Sequence, residues 1–449
     1  MTASSLTAFH WEVQPAAEAI VQDAVREFLA RCPRSQALAE RLYRETGTRF
    51  GDWIDYLVMP DGSPQNWLAA GFVEEIEGGE TVLVHPGGIF PRVLVRPGER
   101  RVAALKVESV ADFLAAQGLE LPTEGEPLGQ FRQAVICQCE ETELRIVERH
   151  GSRAFRPETV PAEQRLLALR HMERLRTRRR HFATDAEGFA HANQLIDAAM
   201  ADLGRDWTCE LFFAAEREYW QRRNRAAQWQ KARQDALGLG WANHDHHTYR
   251  SSRECFTLLI ATLEKLGFTC RERFTPGREA GWGAQVLEQP VTGVTIFADV
   301  DMSPEELLGD FAHEPLPARH ELGTVGLWCA LHGEAFLEAG MHHLECQFDF
   351  DGLRQQMEAN GLGMMKPFTD YAYLRQAFTS GERWPVSHER VERLLASGRI
   401  TQHQADKFRA EGAIGSHLEN LERNQGFKGF NQQGITEIID GTDPRRQGA

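Results

Sequence analysis

One short segment of the chain, HDHHTYR at 244–250, consists largely of residue types that bind metals or acids. The segment reads as a β-strand, in which side chains alternate between two faces. The alternation predicts that His244, His246 and Arg250 share one face. Two histidines and an arginine would make a poor core surface, because buried polar groups need partners. We therefore predict that this face lines a binding site.

A second segment, HHLECQF at 342–348, repeats the pattern, and its His343 lies 97 residues after His246. Alternation places His343 and Glu345 on one polar face and leaves an apolar face for a helix to cover. Each segment leads into a helical pattern, ECFTLLIATLEKLGF after the first and DGLRQQMEANG after the second. The chain therefore contains two similar units, each opening with a histidine-bearing strand.

These histidines predict a metal centre. Two histidines and one carboxylate leave coordination positions open, which suits Fe(II) that must admit O2 and a chelating substrate. The candidate imidazole ligands are His246 and His343. The candidate carboxylate is Glu437, on the otherwise apolar face of GITEIID, and the alternative is Glu419, in a stretch that reads more like a helix turn. Arg250 could bind a substrate carboxylate through two parallel hydrogen bonds.

The same residues also fit interpretations that involve no metal. The HDHH cluster could be ordinary hydrogen-bonding residues at the mouth of a strand, and His342 with His343 could be a surface pair. The occurrence of both clusters at the start of matching units favours the metal site. The pair Cys137 and Cys139 forms a single C-x-C in a predicted strand, a pattern that favours plain strand residues over metal ligands.

A chain of 449 residues predicts two or three domains. We divide it into an N-terminal α/β region at 1–165, a helical connector at 166–236 and a metal-binding domain at 237–449. In the first region, VAALKVESVADFLAAQG reads as a strand and a helix and could begin a further, degenerate module. The basic cluster RTRRR of the connector, at 176–180, is predicted to be a solvated helix face.

Composition narrows the class of protein. The net charge of −15 disfavours nucleic-acid binding. No apolar run reaches the roughly 18 residues that a membrane span needs, and the N-terminal residues lack the pattern of a secretory signal. Eight scattered cysteines are expected to be reduced thiols. These features predict a cytoplasmic protein without membrane or nucleic-acid partners, and they leave a homo-oligomer open.

Paired βαβββ modules that each open with a metal histidine resemble the vicinal oxygen chelate superfamily, which includes glyoxalases and extradiol dioxygenases. Within it, DHHTYRS at 245–251, followed by a helix ending in LGF at 266–268, resembles the 2-oxoadipate dioxygenase/decarboxylase family. His343 stands where that family has its second histidine. The resemblance covers about residues 240–360, and the sequence departs from it at 345–347, where Glu-Cys-Gln replaces Thr-Pro-Arg.

The resemblance implies an α+β fold of paired modules, with a helical connector and an N-terminal α/β region added. It implies Fe(II), or another divalent metal, as cofactor, and a 2-oxo acid such as 2-oxoadipate with O2 as substrates. The reaction would be an oxidative decarboxylation to a 2-hydroxy acid, with Arg250 binding the substrate. Two alternatives stay open, namely a glyoxalase-like isomerase or lyase and a non-catalytic ligand-binding protein.

Overall fold

The computed structural model describes residues 10–60, 64–276, 280–431 and 443–445. Within these ranges the chain forms two large mixed β-sheets with helices on their faces. Each sheet is built from two βαβββ modules, the last of which carries one inserted strand and two inserted helices, so the predicted α+β fold with paired modules is confirmed. None of the helices in the described ranges is long and apolar enough to cross a membrane.

The N-terminal sheet also has a paired-module pattern. Two helices precede it: α1 (Pro15–Arg31) and α2 (Pro33–Thr46). The first module is β1 (Ile54–Met59), α3 (Gln65–Ala69), β2 (Val73–Glu77), β3 (Glu80–Val84) and β4 (Arg92–Val95). The second is β5 (Arg101–Lys106), α4 (Val110–Ala116), β6 (Thr123–Glu124), β7 (Phe131–Gln138) and β8 (Thr142–Arg149). The strand order is β2-β3-β4-β1-β5-β8-β7-β6, and the segment VAALKVESVADFLAAQG supplies β5 and α4.

Four helices follow: α5 (Ala162–Arg176), α6 (Asp185–Leu203), α7 (Arg205–Gln221) and α8 (Arg225–Asp235). Their apolar faces pack on the outer face of the C-terminal sheet, and α8 also contacts α2. The basic cluster at 176–180 is only in part the solvated face that the sequence predicted. Arg176 and Arg179 are exposed. Arg178 is buried and Arg180 is partly buried beside Glu216 of α7, because that carboxylate supplies the opposite charge.

The C-terminal sheet carries the histidine-bearing strands. Its first module is β9 (His244–Arg250), α9 (Phe256–Lys265), β10 (Thr269–Phe274), β11 (Trp282–Glu288) and β12 (Thr295–Asp301), followed by α10 (Thr324–His332). Its second is β13 (His343–Gln347), α11 (Phe350–Ala359), β14 (Thr369–Tyr371), β15 (Leu374–Phe378), β16 (Glu382–Trp384), α12 (His388–Ala396), α13 (Gln402–Glu411) and β17 (Ala413–Arg423). The strand order is β10-β11-β12-β9-β13-β17-β15-β14, and β16 pairs with β17.

The opening strands of the two C-terminal modules, β9 and β13, pair antiparallel at the centre of this sheet. In their register Glu345 lies opposite His246 and His343 lies opposite Thr248. A local two-fold axis between the strands therefore equates His246 with His343. Helices α9 and α11 cover the outer face, where Leu344 is fully buried, and this packing directs the histidine face to the other side of the sheet.

Candidate metal centre

The two predicted histidine ligands meet on the inner face of the C-terminal sheet. His246 on β9 and His343 on β13 are both buried. Their Nε2 atoms lie 3.4 and 2.5 Å, respectively, from the same carboxylate oxygen, Oε1 of Glu345. The fold thus brings the two imidazoles to one point, although the two histidines are far apart in the sequence.

A second buried carboxylate, Glu419 on β17, lies beside this point. Its Oε2 is 4.0 Å from His343 Nε2, and its Oε1 accepts a hydrogen bond of 2.7 Å from Gln376. His246, Glu345 and Glu419 each have one possible ligand atom, and these three atoms lie within 4.8 Å of one another. We call His246, His343, Glu345 and Glu419 together the candidate metal centre.

The carboxylates of this centre were the hardest part to predict. Glu437, the first choice from the sequence, lies outside the described residues. The stretch around Glu419 is a strand rather than a helix turn. Both faces of that strand are buried, so its apolar residues do not alternate cleanly with exposed polar ones. Glu345 was placed on the polar face with His343 but was not assigned as a ligand, although that alternation was the available signal.

Burial sets the protonation states of the centre. Burial lowers the pKa of His246 and of His343, so both imidazoles are neutral and able to bind a metal. Burial raises the pKa of Glu345 well above its ordinary value, and the nearby Glu419 carboxylate raises it further. Oε2 of Glu345 has no hydrogen-bond partner among the described residues. Two buried carboxyl groups beside neutral imidazoles fit a divalent cation, which would offset the cost of their ionisation.

A second layer of hydrogen bonds holds one of the histidines. The Nδ1 atom of His246 lies 2.8 Å from Oδ1 of Asp245. Asp245 in turn accepts hydrogen bonds from Arg423 at 3.0 and 3.1 Å and from Gln347 at 2.6 Å. Burial opposes ionisation of Asp245, but the charge of Arg423 and the hydrogen bonds from His246 and Arg423 together outweigh it and hold the pKa of Asp245 well below its usual range. The carboxylate therefore fixes Nδ1 as the protonated nitrogen and leaves Nε2 free for a metal.

Asp245→Asn tests this second layer. The amide keeps the size of the side chain but loses its charge. The His246 ring should therefore be less firmly oriented, and its Nε2 atom should be less basic. We expect metal affinity to fall by about 10- to 100-fold, the usual cost of losing such a partner. Isothermal titration of the metal-free protein measures this directly. Asp351→Asn, which breaks an exposed ion pair with Arg375, is the matched control and should bind normally. Unchanged affinity in Asp245→Asn would contradict the assignment.

The first histidine of the HDHH segment does not join the site. Strict alternation predicted that His244 shares the face of His246, but the register shifts between Glu345 and Cys346, where β13 pairs with β9. This irregularity breaks the alternation, and the His244 ring lies 5.1 Å from that of His247, which stacks on Phe213 in the outer core.

Arg250 lines the same cavity as the centre, as the alternation predicted. It is buried, and its nearest ion-pair contact is long, with Nε 3.8 Å from Oδ2 of Asp299. Nε has no hydrogen-bond partner among the described residues. Burial raises the pKa of Asp299 to about 7 although Arg250 lowers it. The guanidinium is therefore incompletely paired and has donors available for an anion.

The cavity between these groups has a volume of about 80 Å³. One part of its lining is polar and consists of the metal centre and Arg250 together with Thr248, Asp299, His342, Gln376, His417 and Asn431. The other part is aromatic and consists of Phe274, Trp282, Phe297, Phe368, Phe378 and Phe430. A small polar site inside an aromatic wall suits a small acid, because the wall excludes water while the polar groups fix orientation.

The N-terminal sheet has the same strand order but not the same chemistry. At the centre of its opening strands, Tyr56 pairs with Ala104 and Val58 pairs with Val102. These four residues belong to one apolar cluster, and the Phe155 ring packs against that of Tyr56 at 5.2 Å. None of the four can supply a ligand comparable to the histidines, so these positions hold a small hydrophobic core instead.

Comparison with known proteins gives likenesses of fold. No family model matches the chain, and neither does any curated protein. A solved mutant of 4-hydroxymandelate synthase from Streptomyces coelicolor is 12% identical with a TM-score of 0.30, covering 88% of this chain and 98% of that one. A putative hydrolase from Shewanella frigidimarina is 13% identical with a TM-score of 0.34, covering 49% and 95%. Methylmalonyl-CoA epimerase from Mycobacterium tuberculosis is 12% identical with a TM-score of 0.24, covering 40% and 88%. The strand order of the two sheets in this chain defines the paired-module architecture independently of these likenesses.

The buried carboxyl groups predict an unusual pH dependence of stability. Burial raises the pKa of Glu419 to about 8, so Glu419 is protonated in the folded protein at neutral pH but ionised in the unfolded chain. Folding then takes up a proton at Glu419, so this residue makes the metal-free protein lose stability as the pH rises from about 6.5 to about 8. Buried histidines with a lowered pKa, such as His246 and His343, act in the opposite sense near pH 6.5, because they are neutral in the folded protein and partly protonated in the unfolded chain.

Urea unfolding of chelator-treated protein at pH 6.5 and pH 8 measures this effect. Glu419→Gln cannot ionise but keeps every histidine, so the wild-type protein should lose stability relative to this variant between the two pH values. A bound cation should remove the difference by holding Glu419 ionised. A wild-type protein that loses no stability relative to Glu419→Gln would contradict the burial of a protonated Glu419.

Proposed function

We propose that the protein is an Fe(II)-dependent dioxygenase that acts on a 2-oxo acid, with the metal held by His246, His343 and Glu419. The observation that supports it most is the convergence of two neutral imidazoles and a buried carboxyl group on one cavity that also contains Arg250. Two histidines and one carboxylate are the donor set of oxygen-activating Fe(II) centres.

The local two-fold axis supports a centre with open positions. In the parallel pairings next to the centre, Phe297 of β12 lies beside Thr248, and Glu419 of β17 lies beside Glu345. The axis therefore equates Phe297 with Glu419. In a fully symmetric centre the position of Phe297 would hold a second carboxylate equivalent to Glu419. Because a phenyl ring cannot bind the metal in this way, the coordination positions on the side of β12 stay open for small molecules.

The residues of the cavity have distinct roles in this proposal. Fe(II), when bound, would supply redox chemistry and a chelation site for the adjacent carboxylate and keto oxygens of the substrate. Arg250 would bind a carboxylate of the substrate, and Asp245 would hold His246 in the tautomer that the metal requires. Phe274, Phe297 and the other aromatic residues would keep water from the reacting atoms.

The proposed reaction is an oxidative decarboxylation with hydroxylation. It converts a 2-oxo dicarboxylate and O2 into a 2-hydroxy dicarboxylate that is one carbon shorter, together with CO2. With 2-oxoadipate as substrate the product is 2-hydroxyglutarate. Both oxygen atoms of O2 enter this product, one in the carboxylate formed from the keto carbon and one in the new hydroxyl group, and CO2 keeps the two oxygens of the original carboxylate. The positive charge of Arg250 favours a negatively charged substrate. The cavity volume of about 80 Å³ favours a small substrate.

Oxygen uptake tests this function. The protein loaded anaerobically with Fe(II) is given 2-oxo acids of several chain lengths, and O2 consumption and CO2 release are measured together. We expect equimolar uptake and release with at least one 2-oxo dicarboxylate, and none with His343→Ala. Turnover of a 2-oxo acid without O2 consumption would contradict a dioxygenase.

Glu345 favours one alternative, a glyoxalase-like isomerase or lyase. Its Oε1 lies 3.4 Å from Nε2 of His246 and 2.5 Å from Nε2 of His343, so it could become a fourth ligand. Four protein ligands leave fewer open positions and suit a non-redox metal such as Zn2+, Ni2+ or Mn2+. Glu345→Gln separates the two functions. A dioxygenase centred on Glu419 should keep its metal in this variant, whereas a four-ligand isomerase should lose much of its affinity.

A further inference from the structure

Three cysteines that are distant in the sequence meet in the N-terminal part of the molecule. Cys32 stands at the start of α2, and Cys137 and Cys139 lie at the end of β7. The sulfur of Cys32 is 3.1 Å from that of Cys137 and 3.6 Å from that of Cys139, and the latter two are 4.0 Å apart. Cys32 and Cys137 are buried, while Cys139 is partly exposed. This cluster lies on a different sheet from the candidate metal centre and has no part in the proposed reaction.

The spacing of the sulfurs suits a single cation. A metal about 2.3 Å from each of three thiolates in tetrahedral or trigonal geometry spaces their sulfurs about 3.8 to 4.0 Å apart. The separations of 3.6 and 4.0 Å are already close to this value. The contact of 3.1 Å between Cys32 and Cys137 would need to open by under about 1 Å, which a rotation of either side chain can provide.

The sulfur of Cys32 faces a hydrogen-bond donor. The Ser35 hydroxyl donates a hydrogen bond of 2.9 Å to this sulfur, a contact that also suits a metal-bound thiolate. Cys32 is both the N-cap residue of α2, a helix of 14 residues, and the C-cap residue of α1, so the dipoles of the two helices act on it in opposite senses.

We propose that Cys32, Cys137 and Cys139 form a thiolate site for a thiophilic cation, Zn2+ or Cu+. The three sulfurs bind the metal, and the partial exposure of Cys139 leaves a fourth position that water can reach. The cation joins the start of α2 to the β7–β8 hairpin, so it stabilises the packing of the N-terminal helices on their sheet. The C-x-C pattern alone favoured plain strand residues, because the third sulfur is supplied only by the fold.

Thiol protection in the whole, reduced protein tests the site without any substitution. The protein is incubated with Zn2+ or Cu+, treated with an alkylating reagent, and mapped by mass spectrometry. We expect the metal to slow alkylation of Cys139 at least tenfold more than that of Cys270, a cysteine exposed beside Glu264 and His313. Equal slowing of both cysteines, or of neither, would overturn the proposal. A disulfide between Cys32 and Cys137 that persists in the reduced, metal-treated protein would also overturn it.

Metal content in matched variants provides a second test. The double variant His246→Ala/His343→Ala lacks the other proposed centre. It should still bind one equivalent of Zn2+ or Cu+, and elemental analysis identifies the bound metal. Adding Cys139→Ser should remove that equivalent, and adding Cys270→Ser should not. Co2+ should give a thiolate charge-transfer absorption that only Cys139→Ser abolishes. Retention of the metal and of this band in the Cys139→Ser protein would contradict the site, whether or not the variant unfolds at a lower temperature.

Discussion

His246→Ala and His343→Ala should each abolish stoichiometric binding of Fe(II) while the protein stays folded. Each substitution removes one of the two imidazoles whose Nε2 atoms converge on Glu345. Losing even an outer partner of a metal ligand costs about 10- to 100-fold in affinity, so losing a ligand should cost more than about 100-fold. Elemental analysis after anaerobic loading and desalting measures the metal content, and circular dichroism measures the fold.

His244→Ala is the matched control for this experiment. It changes a histidine of the same strand whose ring faces the outer core rather than the cavity. We expect it to retain one Fe(II) per chain. Full metal occupancy in His246→Ala or in His343→Ala would remove that residue from the ligand set. Loss of metal in His244→Ala would mean that the strand as a whole, and not one ring, supports the centre.

Arg250→Lys should weaken substrate binding and leave the metal in place. Lysine keeps the positive charge but lacks the planar pair of donors that fits a carboxylate. A hydrogen bond between charged groups contributes about 1.5 to 3 kcal/mol, so we expect the apparent KM for the 2-oxo acid to rise about 10- to 100-fold. The comparison combines KM for 2-oxo acids of several lengths with metal content and melting temperature.

The alternative role for Arg250 is structural, because the buried Asp299 lies 3.8 Å from its Nε atom. A purely structural arginine would give Arg250→Lys a lower melting temperature and an unchanged KM, and that result would contradict the substrate role. Arg253→Lys is the control, since Arg253 pairs with Glu306 outside the cavity lining. It should lower stability without changing KM.

The sequence was sufficient to predict the fold class and the placement of His246 and His343 on one polar face of the C-terminal sheet. Side chains alternate between two faces along 244–250 and 342–348, and an amphipathic helix follows each segment. This pattern is local, so it can be recognised without the tertiary structure. The same rule failed at His244 because the register shift with β13 breaks the period of two. A bulge of this kind depends on the partner strand, which the local sequence does not reveal.

The carboxylate side of the centre and the cysteine cluster depend on long-range pairing. Glu419 reaches the histidines because β17 pairs with β13, with Glu345 opposite Glu419 in the register. Cys32 meets Cys137 because α2 packs beside β7, 105 residues later. Neither proximity leaves a periodic trace in the sequence. For residues 1–165 the sequence predicted an α/β region and one strand and helix that could begin a further module. It did not predict two complete modules, because their central positions, such as Tyr56 and Val102, resemble any buried sheet.

Anomalous diffraction at the iron edge, from crystals of the Fe(II)-loaded protein, tests the central claim most directly. We predict one strong peak in the cavity, about 2.0 to 2.2 Å from Nε2 of His246, Nε2 of His343 and a carboxylate oxygen of Glu419. An iron peak bound by other residues, or a fully loaded protein with no peak between these two histidines, would contradict the account.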